Sequence, residues 1–183
     1  MSIRSSASCR LAMPILCALF TGIPGIATAA DSPVRLQLTP AGIAQMPDPS
    51  LIASLDDWLD KALPWPRRTT PARIRFITDR QARRMAGHPA MGHGRARGLY
   101  DAETETIHLV SPWSADNPGD VAVLLHELVH HRQAPHHFYC PAAQEEAAYK
   151  AQAAWLAERG LSADINWIAV TLQAGCTPRD IHP

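Results

Sequence analysis

His126-Glu127-Leu128-Val129-His130 sets two imidazoles four residues apart, with a carboxylate directly after the first. On an α-helix, residues i and i+4 lie one above the other on one face, so both rings can meet a single cation. Glu127 then reaches a water held by that cation. The donor types suit Zn²⁺, which lowers the pKa of a coordinated water to about 7 and polarises a carbonyl oxygen. A neighbouring carboxylate takes the water's proton and hands it to the leaving group. The pattern therefore predicts hydrolysis, with His126 and His130 as metal ligands and Glu127 as general base. Val121, Val123, Leu124, Leu125, Leu128 and Val129 surround the motif, so the helix is expected to be largely buried. Polar groups on such a helix need partners.

A catalytic zinc keeps three protein ligands, so a third is required. Glu145, Tyr149, Gln152 and Leu156 fall at i, i+4, i+7 and i+11, on one helix face. That face carries an aromatic and a leucine and is expected to turn inward. Glu146 and Lys150 form an i, i+4 acid-to-base pair, the usual solvent-face arrangement. This favours Glu145 and leaves Glu146 as an alternative. His136 is a second alternative, because it follows His126 at the H-E-x-x-H-x-x-G-x-x-H spacing. Gln133 stands at the glycine of that pattern, however, and no methionine follows Met91 to make the associated Met-turn.

The stretch from His126 to His130, with Glu145 on a following helix, resembles the gluzincin arrangement found in thermolysin and in periplasmic zinc proteases. In those proteins the downstream helix supplies the third ligand as a Glu, and an Asp four residues later supports a histidine. Glu145-x-x-Ala148 matches their E-x-x-A-D stretch, while Tyr149 stands at the Asp. A phenol accepts an imidazole N–H more weakly than a carboxylate does. HELVHHRQ followed by CPAAQEEAAYKAQAAWL is also similar to a family of small exported bacterial zincin-like proteins of unknown function. That likeness is close over His126 to Leu156 and loose from Gly98 onward. It implies a minimal zincin-like domain whose cofactor is Zn²⁺. It also implies that the strand Thr106 to Leu109 edges the cleft and pairs with an extended substrate. His108 on that strand, Tyr139 and Tyr149 are the candidates for substrate binding or transition-state support. Tyr100, His131 and Arg132 are further oxyanion candidates.

The elements that must carry these groups follow from periodicity. Leu51, Leu55, Trp58, Leu59 and Ala62 recur at helical spacing, predicting a helix over 50–63 that Pro64 and Pro66 end. RIRFIT, at 73–78, alternates as a strand does, and 81–87 reads as a short helix. A loop is expected from His88 to Arg95. Gly98 to Tyr100 and Thr106 to Val110 read as strands joined by a turn at Asp101 to Thr104. Pro118 fits the first turn of the metal helix, which Asp116 or Asn117 caps and Pro135 stops. Helices are predicted over 141–159 and 162–174, ended by Gly160 and Gly175. Strands followed by helices make an α+β domain with a small sheet, a metal helix and C-terminal helices.

Bulk properties bound the function. With 183 residues, 46% of them hydrophobic and 19% charged, the chain can bury one domain's core. A formal charge of +0 argues against nucleic acid as a partner. Arg4 and Arg10 precede an apolar stretch from Leu11 to Ile26, and Ala27-Thr28-Ala29 offers a signal-peptidase site. Residues 1–29 thus read as a signal peptide and 30–183 as the domain, with no membrane span in the mature chain. The expected location is periplasmic or secreted. Cys140 and Cys176 then remain as an even pair in an oxidising compartment, which reads as a disulfide. The predicted activity is zinc-dependent hydrolysis of peptide bonds, on a peptide or protein of the cell envelope. The alternatives are a non-catalytic zinc-containing or peptide-binding exported protein and an amidase of cell-wall peptides.

Overall fold

Asp48 opens the first helix, α1 (Pro49–Ala62), by accepting the amide of Ser50 at 2.7 Å, and Pro49 takes the first-turn position that needs no N–H donor. The computed structural model describes residues 45–86 and 96–175. The predicted signal peptide, the predicted His88–Arg95 loop and Cys176 lie outside them. Leu55 and Leu59 of α1 are buried, as the apolar spacing requires. Strand β1 (Arg73–Ile77) follows, then α2 (Asp79–Met85). This helix starts two residues before the predicted position. Thr78 and Gln81 form a reciprocal capping box, which satisfies two amides and sets the start there.

Strand β2 (Gly98–Asp101) turns into β3 (Thr106–Val110). Asp101 pins the turn by accepting from the Glu103 amide at 3.0 Å and the Thr104 hydroxyl at 2.6 Å. The sheet order is β1-β3-β2, with β1 parallel and β2 antiparallel to β3. The expectation that β3 edges the cleft is corrected here: strands hydrogen-bond to both of its sides. Among the described residues, β2 lies at the edge nearer the metal helix. Ile107 and Leu109 of β3 face the main core together with Ile74 and Phe76 of β1, whereas Val110 and Ile77 face α2. His108 alternates with its neighbours and so turns toward α2, where it lines a groove with Arg75, Gln81 and Arg84. It therefore points away from the predicted cleft.

The metal helix is α3 (Pro118–Gln133), capped by Asn117, whose side chain accepts the Gly119 amide at 2.9 Å. Its first turn is anchored by Asp120, which accepts from Arg97 at 2.7 Å and from the Ser114 amide at 3.0 Å. Residues buried on every side of α3 place it at the centre, against the sheet, α1 and the next long helix. That helix was predicted as one element from Pro141. Instead a 3₁₀ turn (Pro141–Gln144) leads into α4 (Glu145–Ala157). The last helix, α5 (Trp167–Ala174), starts later than predicted because Asn166 caps it, accepting the Ala169 amide at 3.1 Å. The result is an α+β fold with five α-helices and a three-stranded mixed sheet among the described residues. None of the described helices is long and apolar enough to cross a membrane.

Arg132, predicted as an oxyanion candidate, serves the fold. Its side chain is 1% exposed and reaches Asp56 Oδ1 at 2.7 Å, the Asp56 carbonyl at 2.9 Å and Asp60 Oδ1 at 2.7 Å. The guanidinium fork thus fastens α3 to α1 and is directed to α1. Removing it leaves the Asp56 carboxylate and carbonyl without this partner, while Asp60 keeps Arg67 at 2.7 Å. Breaking a buried pair costs about 3–5 kcal/mol, and the partial exposure of Asp60 puts this one near the lower end. Arg132→Met is expected to lower the urea-unfolding free energy by about 3 kcal/mol. A loss below about 1 kcal/mol would show that α1 is not held this way.

Candidate metal centre

His126, Glu127, His130 and Gln133 share the inward region of α3, and all four are buried. The imidazoles of His126 and His130 converge through their Nε2 atoms, which are 3.1 Å apart. Glu145, at the first turn of α4, closes the set. Its carboxylate oxygens lie 3.3 Å from His126 Nε2 and 3.5 Å from His130 Nε2. Two donors bound to one tetrahedral zinc at about 2.05 Å are about 3.3 Å apart, so these separations match such an ion. His126, His130 and Glu145 form a group that could hold a metal ion.

The hydrogen bonds around the rings sharpen this point. His126 Nδ1 faces Gln152 Oε1 at 3.1 Å, and His130 Nδ1 faces Gln133 Oε1 at 3.0 Å. The Gln133 amide nitrogen donates to the Gln144 carbonyl at 3.1 Å, which turns its oxygen toward the ring. With Nδ1–H donating to an amide oxygen, each Nε2 carries a lone pair. Two such lone pairs and a carboxylate, all within about 3.5 Å, repel unless positive charge lies among them. Burial alone would raise Glu145, but its bonds to His126 and His130 outweigh it and hold the carboxyl well below the usual range. Burial alone would lower His130, but Glu145, Glu127 and Gln133 together raise it.

Glu127 has a different setting. Burial raises its pKa, the nearby His126 and His130 oppose that shift, and Glu145 reinforces it. Its side chain lies against the backbone of Gly98 on β2. A Cβ at Gly98 would stand 2.5 Å from Glu127 Oε1 and 2.9 Å from Glu127 Cγ. Only glycine leaves that space, so the edge strand and the carboxylate touch directly.

The remaining candidates separate cleanly. Tyr149 packs edge-on against the His126 ring, with centroids 4.5 Å apart. Burial, followed by the charges of Glu145 and Glu127, pushes its phenol up to about 12. It is thus a neutral phenol beside the metal group. Gln152 is the residue that faces His126 Nδ1, so the support role considered for Tyr149 falls one turn further along α4. Tyr139 is 76% exposed and stacks near His137, because the segment after α3 carries it into solvent. His136 is exposed and packs by Trp65, outside the donor group. Glu146 pairs with Lys150 at 2.6 Å on the outer face. His131 is held between Tyr100 Oη at 3.0 Å and the Thr70 carbonyl at 2.8 Å, so neither it nor Tyr100 faces the metal group. Cys140 is buried just before the turn that delivers Glu145.

Gln133, Gln152 and Gly98 are the site residues that sequence reasoning missed. Gln152 shares the inward face of Glu145, which was a usable signal, and Gln133 lies one turn after His130. Gly98 carried no signal, because its role depends on a strand from elsewhere in the chain approaching α3.

One equivalent of Zn²⁺ or Co²⁺ is expected to remain after dialysis of the wild-type protein. His126→Ala and Glu145→Ala should each lose it, and His136→Ala and Glu146→Ala should retain it, as read by metal analysis. Equal loss from the last two variants would dissolve the assigned donor set.

A model of a family described as Domain of unknown function (DUF6647) matches residues 44–183. The chain belongs to this family. No curated protein and no solved structure matches it.

Proposed function

We propose that this member of the DUF6647 family is an exported zinc-dependent hydrolase of peptide bonds, of gluzincin type, with Glu127 as its general base. The observation that carries the reading is the position of Glu127: a buried acid with a raised pKa, next to three converging donors and against an edge strand. A purely structural metal site needs no such acid. Burial without an ion pair is costly for a carboxylate, and that cost is characteristic of functional sites.

His126, His130 and Glu145 would hold the ion. Zinc bound by two imidazoles and one carboxylate supplies Lewis acidity that acidifies water and polarises a carbonyl oxygen. Glu127 takes the proton of the attacking water and returns it to the departing amine. Its raised pKa suits both halves of that task, because a more basic carboxylate is the better proton acceptor and its acid form can return the proton to the leaving amine. Tyr149, a neutral phenol against His126, is the nearest candidate to donate a hydrogen bond to the developing oxyanion. An extended peptide added along β2 would pass Gly98 and so meet Glu127. The peptide belongs to the cell envelope, as the N-terminal segment's signal-like pattern supports.

Glu127→Gln is expected to keep zinc and lose about 10²–10⁴ of the turnover measured on a quenched peptide library and on cell-wall peptides. Gly98→Ala serves as a second arm, since it displaces the same carboxylate without removing it. Wild-type turnover by the zinc-loaded Glu127→Gln protein would reject the general-base role, and the metal would then be structural.

A further inference from the structure

His126 and His130 are both backed by glutamine amides, and neither Nδ1 is backed by a carboxylate. The two amides do different work. Gln152, on α4, offers Oε1 to His126 at 3.1 Å. Gln133, on α3 and fully buried, accepts from His130 at 3.0 Å and also donates to the Gln144 carbonyl at 3.1 Å. Gln144 immediately precedes Glu145. Each amide therefore crosses the seam between α3 and α4. One runs from α4 to the first histidine, the other from α3 to the turn that starts α4.

We infer that Gln133 and Gln152 are the positioning residues of the metal centre. They fix the Nδ1–H tautomer of both ligands, hold α4 in the register that brings Glu145 to them, and, being neutral, keep the ion more electrophilic than carboxylates would. The inference rests on the metal reading given above.

The physical argument is one of donors and acceptors. An imidazole whose Nδ1–H meets an acceptor presents Nε2 to the metal and cannot rotate away. A carboxylate acceptor makes the ring more basic and binds the ion more tightly; an amide acceptor orients the ring with less of that effect. At position 152 only an acceptor is required, so a carboxylate there can replace the amide. At position 133 a carboxylate cannot, because it has no N–H to give the Gln144 carbonyl and would set two acceptors face to face. The same isosteric exchange is therefore expected to act in opposite directions at the two sites.

The test is the zinc dissociation constant of the mature protein, measured by chelator competition. Gln152→Leu should weaken binding by about tenfold or more, while Gln152→Glu should restore it or tighten it beyond wild type. Gln133→Glu should weaken it by about tenfold or more. In Co²⁺-loaded protein, the visible spectrum of Gln152→Glu should keep the tetrahedral intensity of wild type, and that of Gln133→Glu should lose it. Equal effects of Glu at both positions, or changes within about twofold for all three variants, would overturn the positioning roles. Because position 152 is only half-buried, its Leu and Glu variants keep the test readable even if Gln133→Glu fails to fold. Failure of the wild-type protein to bind zinc at all would instead overturn the metal reading, and this inference with it.

Discussion

A helix buried on every side that carries a run of polar side chains is the constraint on which this structure depends. Between His126 and Gln133, α3 holds the two histidines of the candidate metal group, an acid, a further histidine, an arginine and a glutamine, all buried. None can stay dry without a partner, since an unpaired polar group in such surroundings costs from one to several kcal/mol. The neighbouring elements are arranged to answer them. Asp56 and Asp60 of α1 take Arg132. Tyr100 of β2 and the Thr70 carbonyl take His131. Gln152 and Glu145 of α4 take the two remaining histidines, together with Gln133.

This division of labour separates packing from chemistry along one helix. His131 and Arg132 project about 100° and 200° around the axis from His130, toward the sheet and α1. Their charges and hydrogen bonds are spent on holding α3 in place. His126 and His130 share the face toward α4, where Glu145 completes a group of three converging donors that could hold a metal ion. That pattern is expected where a site is kept ready for a ligand.

The sheet contributes through its edge. A central β3 paired on both sides takes no further strand, whereas β2 brings backbone to Glu127 at Gly98, where no side chain intervenes. An acid, a candidate metal group and a strand at the edge of the described sheet therefore lie next to one another.

What the sequence by itself determined is what periodicity controls. A four-residue spacing on a helix puts His126 and His130 on one face, and the i, i+4 pairing of Glu146 with Lys150 turns Glu145 inward; both follow from 3.6 residues per turn, whatever the rest of the chain does. The α+β class and the position of most helices were legible for the same reason, apart from starts that depended on capping by Thr78 and Asn166. Tertiary structure decided which partner each polar group takes. The order β1-β3-β2 put β3 in the centre and turned His108 to the far face, and no local pattern encodes strand order. His136 and Tyr139 leave the site because the chain after α3 runs outward, and His131 and Arg132 leave it because partners 61 and 76 residues away claim them. The amides of Gln133 and Gln152 acquired their roles only when α3 and α4 met. Local geometry sets which face a side chain is on; the contact that gives it a function comes from residues distant in sequence.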